Sequence, residues 1–146
     1  MKKRAFTLVE IMVVVSLIGL LAALAVSLML RNRMTTNETV AIANSKTIGS
    51  ACQSYYAMTT PNLYPPNLQL LGAAGPTGPS YIDVTLASGL KSGYRFIYTR
   101  TSAVTFTLFA EPQAPGRTGN RFFYTDETGR ITANEGGRAG PGDTPV

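Results

Sequence analysis

Ile11 to Leu30 is a run of twenty residues without a charge. At a helical rise of about 1.5 Å per residue it reaches roughly 30 Å, the thickness of a bilayer's hydrocarbon core. A helix apolar on every side needs apolar surroundings on every side, which a soluble core of ordinary size does not supply. One acid, Glu10, stands at the entrance to the run, and Lys2, Lys3 and Arg4 precede it. The basic cluster is expected to stay cytoplasmic, with an inside N-terminus and an outside C-terminus, although Arg31 and Arg33 beyond the run reduce the charge contrast.

Two simple readings compete. A secretory signal peptide would use Ala23-Leu24-Ala25 as its cleavage site and release a protein beginning at Val26. Against it, the apolar run continues through Val26, Leu28, Met29 and Leu30, and Glu10 interrupts a region that should be unbroken. A plain single-pass anchor accounts for Glu10 through the favourable field at a helix N-terminus, but not for its neighbours.

The rest of the composition excludes more than it suggests. The formal charge is +5, yet Lys2, Lys3 and Arg4 supply three of the thirteen basic residues, leaving ten against eight acids in the remainder. The basicity therefore belongs mostly to the leader. With no His and a single cysteine, Cys52, neither an intrachain disulfide nor a Cys/His metal site or nucleophilic pair can be assembled. No phosphate-binding glycine motif or calcium-binding loop is present. Asp126, Glu127 and Asp143 lack the clustered spacing a calcium ion requires. No cofactor, metal or catalytic residue is expected, and Cys52 reads as a small core residue.

"KKRA" followed by "FTLVEIMVVVSLIGLLAALAV" resembles the class III leader and N-terminal helix of type IV pilins and type II secretion pseudopilins. The resemblance covers the first third of the chain closely and the remainder in general layout. It implies a leader at 1–5, cleavage by a prepilin peptidase between Ala5 and Phe6, and methylation of the new amino group of Phe6. It also implies that Glu10 is the assembly acid, paired in the filament with the amino terminus of an adjacent subunit. Ala5 stands where the family usually has Gly, and Ser27 where many members have a helix-bending Pro, so the helix is expected to be straighter or to loosen near Gly19. A carboxylate in a membrane helix costs about 2.5–3.5 kcal/mol at the bilayer centre and less near the interface, so it is normally paired. The amine created by cleavage would be that pair, making Glu10 a register pin while apolar packing provides most of the attraction.

Residues 6–33 are thus expected to form a transmembrane and assembly helix, and 34–134 a globular head. From Met34 to Met58 Ala41, Ile48, Cys52 and Tyr55 fall on one face, with Asn37, Asn44, Lys46 and Ser54 elsewhere. One helix from Phe6 to Met58 would be roughly 80 Å long. A Pro- and Gly-rich connection ends it near Thr59, with Leu68, Leu70 and Leu71 tucked under a sheet and Ala73 to Ser80 flexible. Four strands are expected: Tyr94 to Arg100, Thr105 to Glu111, Arg121 to Asp126 and Gly129 to Thr132. Alternation places Tyr94, Phe96 and Tyr98 on one face beside Phe106, Leu108 and Ala110, packed on the Ile48, Cys52, Tyr55 stripe. Asp126 to Gly129 reads as a hairpin turn. The fold class is α+β and pilin-like: one long N-terminal helix, transmembrane in its N-terminal half, its outer half under a small antiparallel sheet of about four strands. Residues 135–146 form a tail expected to be flexible or laid over the surface.

The leading function is a structural subunit of a type IV pilus-like filament, stored in the inner membrane and polymerised into an extracytoplasmic fibre. Its partners would be further copies of itself, prepilin peptidase, an inner-membrane assembly platform and the membrane. The alternatives are a pseudopilin of a type II secretion system, a signal-peptide-bearing secreted protein and a minor pilin for DNA uptake. Arg117, Arg121, Arg130 and Arg138 near Phe122, Phe123 and Tyr124 could serve single-stranded nucleic acid, but Glu111, Asp126, Glu127 and Glu135 dilute the field. Nucleic acid is therefore disfavoured as a partner, and an enzyme is the lowest-ranked class.

Overall fold

No proline interrupts the sequence between Leu8 and Met58, and these 51 residues form one α-helix, α1. The computed structural model describes residues 7–74 and 79–146. By its contacts the chain divides into two compact units, Met1–Arg33 and Met34–Val146.

In the first unit α1 runs through Gly19 and Ser27 without a break. Its apolar side chains are bare all round: Leu8 is 81% exposed, Val26 69% and Leu24 66%. None of its most apolar window is buried by the described residues. Burying one Leu, Ile or Val side chain is worth about 1.5–3 kcal/mol, so an unpacked stretch of this length requires lipid or sister helices around it.

In the second unit α1 carries one wall of the core. Ala41, Ile48, Ala51 and Cys52 are buried there, with Tyr55 packed at the margin. Asn44 and Ser45 are buried as well, which corrects the placement of Asn44 away from the packed face. The sheet covers a wider arc of the helix than the apolar stripe alone marks. Ser45 meets the cost of burial by donating to the Ala41 carbonyl at 2.9 Å, whereas Nδ2 of Asn44 has no partner among the described residues. Asn37 is half-buried, its Nδ2 donating to the Thr118 carbonyl at 2.9 Å.

The connection after Met58 contains a short helix α2, Leu68–Gly72, capped by the Asn67 side chain, and α3, Val84–Ala87, capped by Asp83. Leu68 and Leu71 are buried under the sheet as expected, but Leu70 is exposed on the far side of α2. Ala73, Ala74, Pro79 and Ser80 are exposed, and the middle of the expected flexible stretch, residues 75–78, lies outside the described residues.

Six strands follow: β1 Leu90–Lys91, β2 Tyr94–Arg100, β3 Phe106–Pro112, β4 Phe122–Asp126, β5 Ile131–Asn134 and β6 Thr144–Pro145. They form one antiparallel meander in chain order. β2 spans the expected residues, β3 and β4 each begin one residue late and β5 two late, while β1 and β6 lie outside the four strands expected. The shift of β5 arises because Gly129 takes φ +75° in the turn, where its N–H donates to the Asp126 carbonyl. β1 and β2 join through Ser92 and Gly93, both at positive φ, a two-residue hairpin loop.

Register sets the packing. Phe96 faces Ala110, Tyr98 faces Leu108, and Ala110 faces Phe123. This row, with Tyr94, Phe106, Ile131 and Ala133, forms the core with α1. Phe106 meets the Tyr64 ring edge-on at 4.9 Å and the Tyr98 ring at 5.6 Å. Tyr94 and Tyr98 send their hydroxyls to the carbonyls of Arg121 and Pro65, both at 2.8 Å, so neither phenol is left unsatisfied.

The C-terminal segment lies along the sheet rather than swinging free. β6 pairs with β5, and the Val146 N–H donates to the Ile131 carbonyl at 3.1 Å. Between these strands, residues 135–143 cross the sheet's outer face. Arg138 lies 4.3 Å over the Phe109 ring and pairs with Glu111 at 2.7 Å, Ala139 is buried, and Gly140 accepts the Thr132 hydroxyl. Asp143 closes the base by accepting from Asn134 and from the Gly140 N–H. Polar anchoring and one stacked cation hold a segment that has few apolar residues of its own.

Candidate assembly site

The first turn of α1 begins at a capping box. Thr7 donates its main-chain N–H to Oε2 of Glu10 at 2.8 Å and its hydroxyl to the same oxygen at 2.9 Å, and the Glu10 N–H returns a bond to the Thr7 hydroxyl at 3.3 Å. Reciprocal bonding of this kind satisfies amides that the helix itself cannot. The signature is present in the sequence as Thr7-Leu8-Val9-Glu10, directly before the apolar run. In the sequence Glu10 stands out by its charge, whereas Thr7 is signalled only by the three-residue spacing between them.

Both bonds from Thr7 fall on Oε2. Oε1 of Glu10 has no hydrogen-bond partner among the described residues. Among the described residues the carboxylate thus combines one oxygen fixed by its own helix and one that meets no donor. It is held at the positive end of the helix, where an anion is favoured by about 0.3–1 kcal/mol at exposed sites. Ala5 and Phe6, the expected cleavage and methylation residues, lie outside the described residues. The surface flanking Glu10 is formed by exposed Val9, Val13 and Val14.

The other residues singled out in the sequence fall elsewhere. Cys52 is fully buried, and burial pushes its thiol up to about 12, so it is not a nucleophile at neutral pH. Asp126 accepts from Thr128 and from the Tyr124 hydroxyl in its hairpin, while Asp143 is committed to Asn134 and Gly140. Phe123 and Tyr124 are buried, and Arg138 is engaged with Phe109 and Glu111, so these residues do not form an exposed stacking platform.

Residues 1–26 match the family model described as the prokaryotic N-terminal methylation motif. This is the signature of type IV pilins and pseudopilins, and it overlaps the start of a helix long and apolar enough to cross a membrane. No curated protein and no solved structure matches the chain.

Proposed function

We propose that this chain is a structural subunit of a type IV pilus-like filament. Prepilin peptidase cuts between Ala5 and Phe6 and methylates Phe6. The subunit is stored in the inner membrane with its N-terminus inside and its head, residues 34–134 with the tail 135–146, outside. An assembly platform then passes it into a polymer built on the helix at 6–33. The observation that carries the reading is the coincidence of the methylation motif at residues 1–26 with Glu10, held by Thr7, one of its oxygens without a partner among the described residues, at the head of a helix surface that none of the described residues covers. A neighbour's Phe6 amine would satisfy that oxygen and fix the axial offset, while the apolar flanks supply contact area.

Intact mass and N-terminal sequencing of protein from envelope fractions test this. N-methylated Phe6 as the first residue supports the proposal. An uncut leader in assembled fibres, or Val26 as the first residue, overturns it.

A further inference from the structure

β1 accompanies β2 only at Leu90 and Lys91, opposite Arg95 and Tyr94, with one further bond from the Phe96 N–H to the Gly89 carbonyl at 2.7 Å. β2 continues to Arg100. Main-chain groups repeat their direction every second residue, so the N–H and C=O of Tyr98 and Arg100 point the same way as those of Phe96. Among the described residues no strand meets them. Beside this bare edge is a cavity of about 390 Å³, lined by Asn67, Leu68, Ser88 and Leu90 together with Ile97 and Tyr98. An unpaired strand edge next to a side-chain pocket is the arrangement by which sheets accept an added strand: the main chain supplies affinity and the pocket supplies selectivity.

The positive groups at the rim are Arg95, which lines the cavity, and Arg100 at the strand's end. Arg95 holds Glu111 only at 3.3 Å, because that carboxylate is shared with Arg138, which approaches it at 2.7 Å from the outer face. Arg100 donates to the Tyr64 carbonyl at 3.1 Å and meets no carboxylate among the described residues. Lys91 and Asp83 cancel each other. A second copy of this chain offers no matching strand. Glu10 and Glu38 are on α1, Asp83 caps α3, Glu111 is inside the sheet, Asp126 and Glu127 are in a turn, and Glu135 and Asp143 belong to the tethered tail. The strand at the opposite edge, β6, is two residues long and carries no acid.

From this conjunction we infer that the β2 edge between Ile97 and Arg100 is a docking site for an extended acidic peptide segment of another protein, added to the sheet beside β1 with alternate side chains in the cavity. The inference stands apart from the filament reading, since it uses only the head.

The test uses the full chain in detergent micelles and three labelled seven-residue probes: alternating Glu and Val, alternating Lys and Val, and the Glu/Val peptide with alternate amides N-methylated. Anisotropy should saturate with the Glu/Val probe and weaken about tenfold with either control. Amide exchange at Tyr98 and Arg100, fast in the free protein, should slow on binding. Arg95→Glu should weaken the Glu/Val probe about tenfold with an unchanged circular dichroism spectrum. Absence of saturable binding, equal binding of the Lys/Val or N-methylated probe, or protection at Thr144 and Pro145's edge instead overturns the inference. So does protection of Tyr98 and Arg100 that grows with protein concentration alone, which would assign the edge to a second copy.

Discussion

Oε1 of Glu38 on α1 accepts the main-chain N–H of Asn120 at 2.8 Å, across 82 positions of sequence. It also accepts the Arg121 N–H at 3.3 Å, while neighbouring Asn37 donates to the Thr118 carbonyl. The β3–β4 loop is therefore pinned by side-chain hydrogen bonds to the start of the head's helix wall. Glu38→Ala leaves two amides without their acceptor and should cost about 1–2 kcal/mol, with Glu38→Gln costing less because an acceptor oxygen remains. Urea unfolding of the full chain in micelles reads both; equal stability of all three forms would refute the pin.

Thr7 and Glu10 separate capping from charge. Glu10→Gln keeps an oxygen for Thr7 but removes the anion, whereas Thr7→Val removes the hydroxyl and leaves the anion. Thr7→Val should cost about 1 kcal/mol of local helix stability, seen as faster amide exchange over residues 8–12. Under the filament proposal Glu10→Gln and Glu10→Ala both insert in the membrane and both fail to build regular fibres, as scored by electron microscopy. Normal fibres from Glu10→Gln would reduce Glu10 to a helix cap.

Stability should decline in alkali. In the folded head burial raises the Cys52 thiol to about 12, and it also raises the phenols of Tyr94 and Tyr98. The unfolded chain loses these protons first, so above about pH 9 the native state binds more protons than the unfolded one and its stability falls as pH rises. Cys52 alone contributes a slope on the order of 1 kcal/mol per pH unit between its unfolded and folded values. Urea midpoints from pH 8 to 10.5 measure it, and Cys52→Ala should flatten the first part of the decline.

Arg138 holds the C-terminal segment by two contacts, the Glu111 carboxylate and the Phe109 ring. Both are partly exposed, so Arg138→Ala should cost only about 0.5–1 kcal/mol globally. Its local effect should be larger: the amides of Ala139, Gly140 and Asp143 should exchange faster while β2 and β3 keep their protection. Hydrogen exchange by mass spectrometry distinguishes the two scales.

The sheet's centre was legible because its residues obey one rule at a time. Tyr94, Phe96 and Tyr98 alternate with Arg95, Ile97 and Thr99, broken only by the half-buried Ile97, and the strand they define spans the residues that alternation marks. Asn44 misled because burial of a polar side chain depends on the width of the sheet above it, which helical periodicity does not contain. For the tail the sequence leaves two outcomes open, flexible or laid over the surface. Glycine and proline from Gly136 to Gly142 describe a segment without its own core, but Arg138, Asp143 and β6 attach it to a sheet already formed. At the proposed assembly site the charge of Glu10 was conspicuous, while Thr7 was visible only as a spacing.

The six strands neighbour one another in the order in which they occur along the chain. Each strand after β1 therefore finds its partner among residues already made, and no earlier strand must wait for a distant one. A head that follows its helix across a membrane in chain order can add this sheet hairpin by hairpin as it emerges. The exception is the last lap: the outer face around Tyr124 and Thr132 stays wet until Arg138 and Thr144 arrive. Premature termination by a dozen codons would thus yield a head with its central pairings intact and one face uncovered.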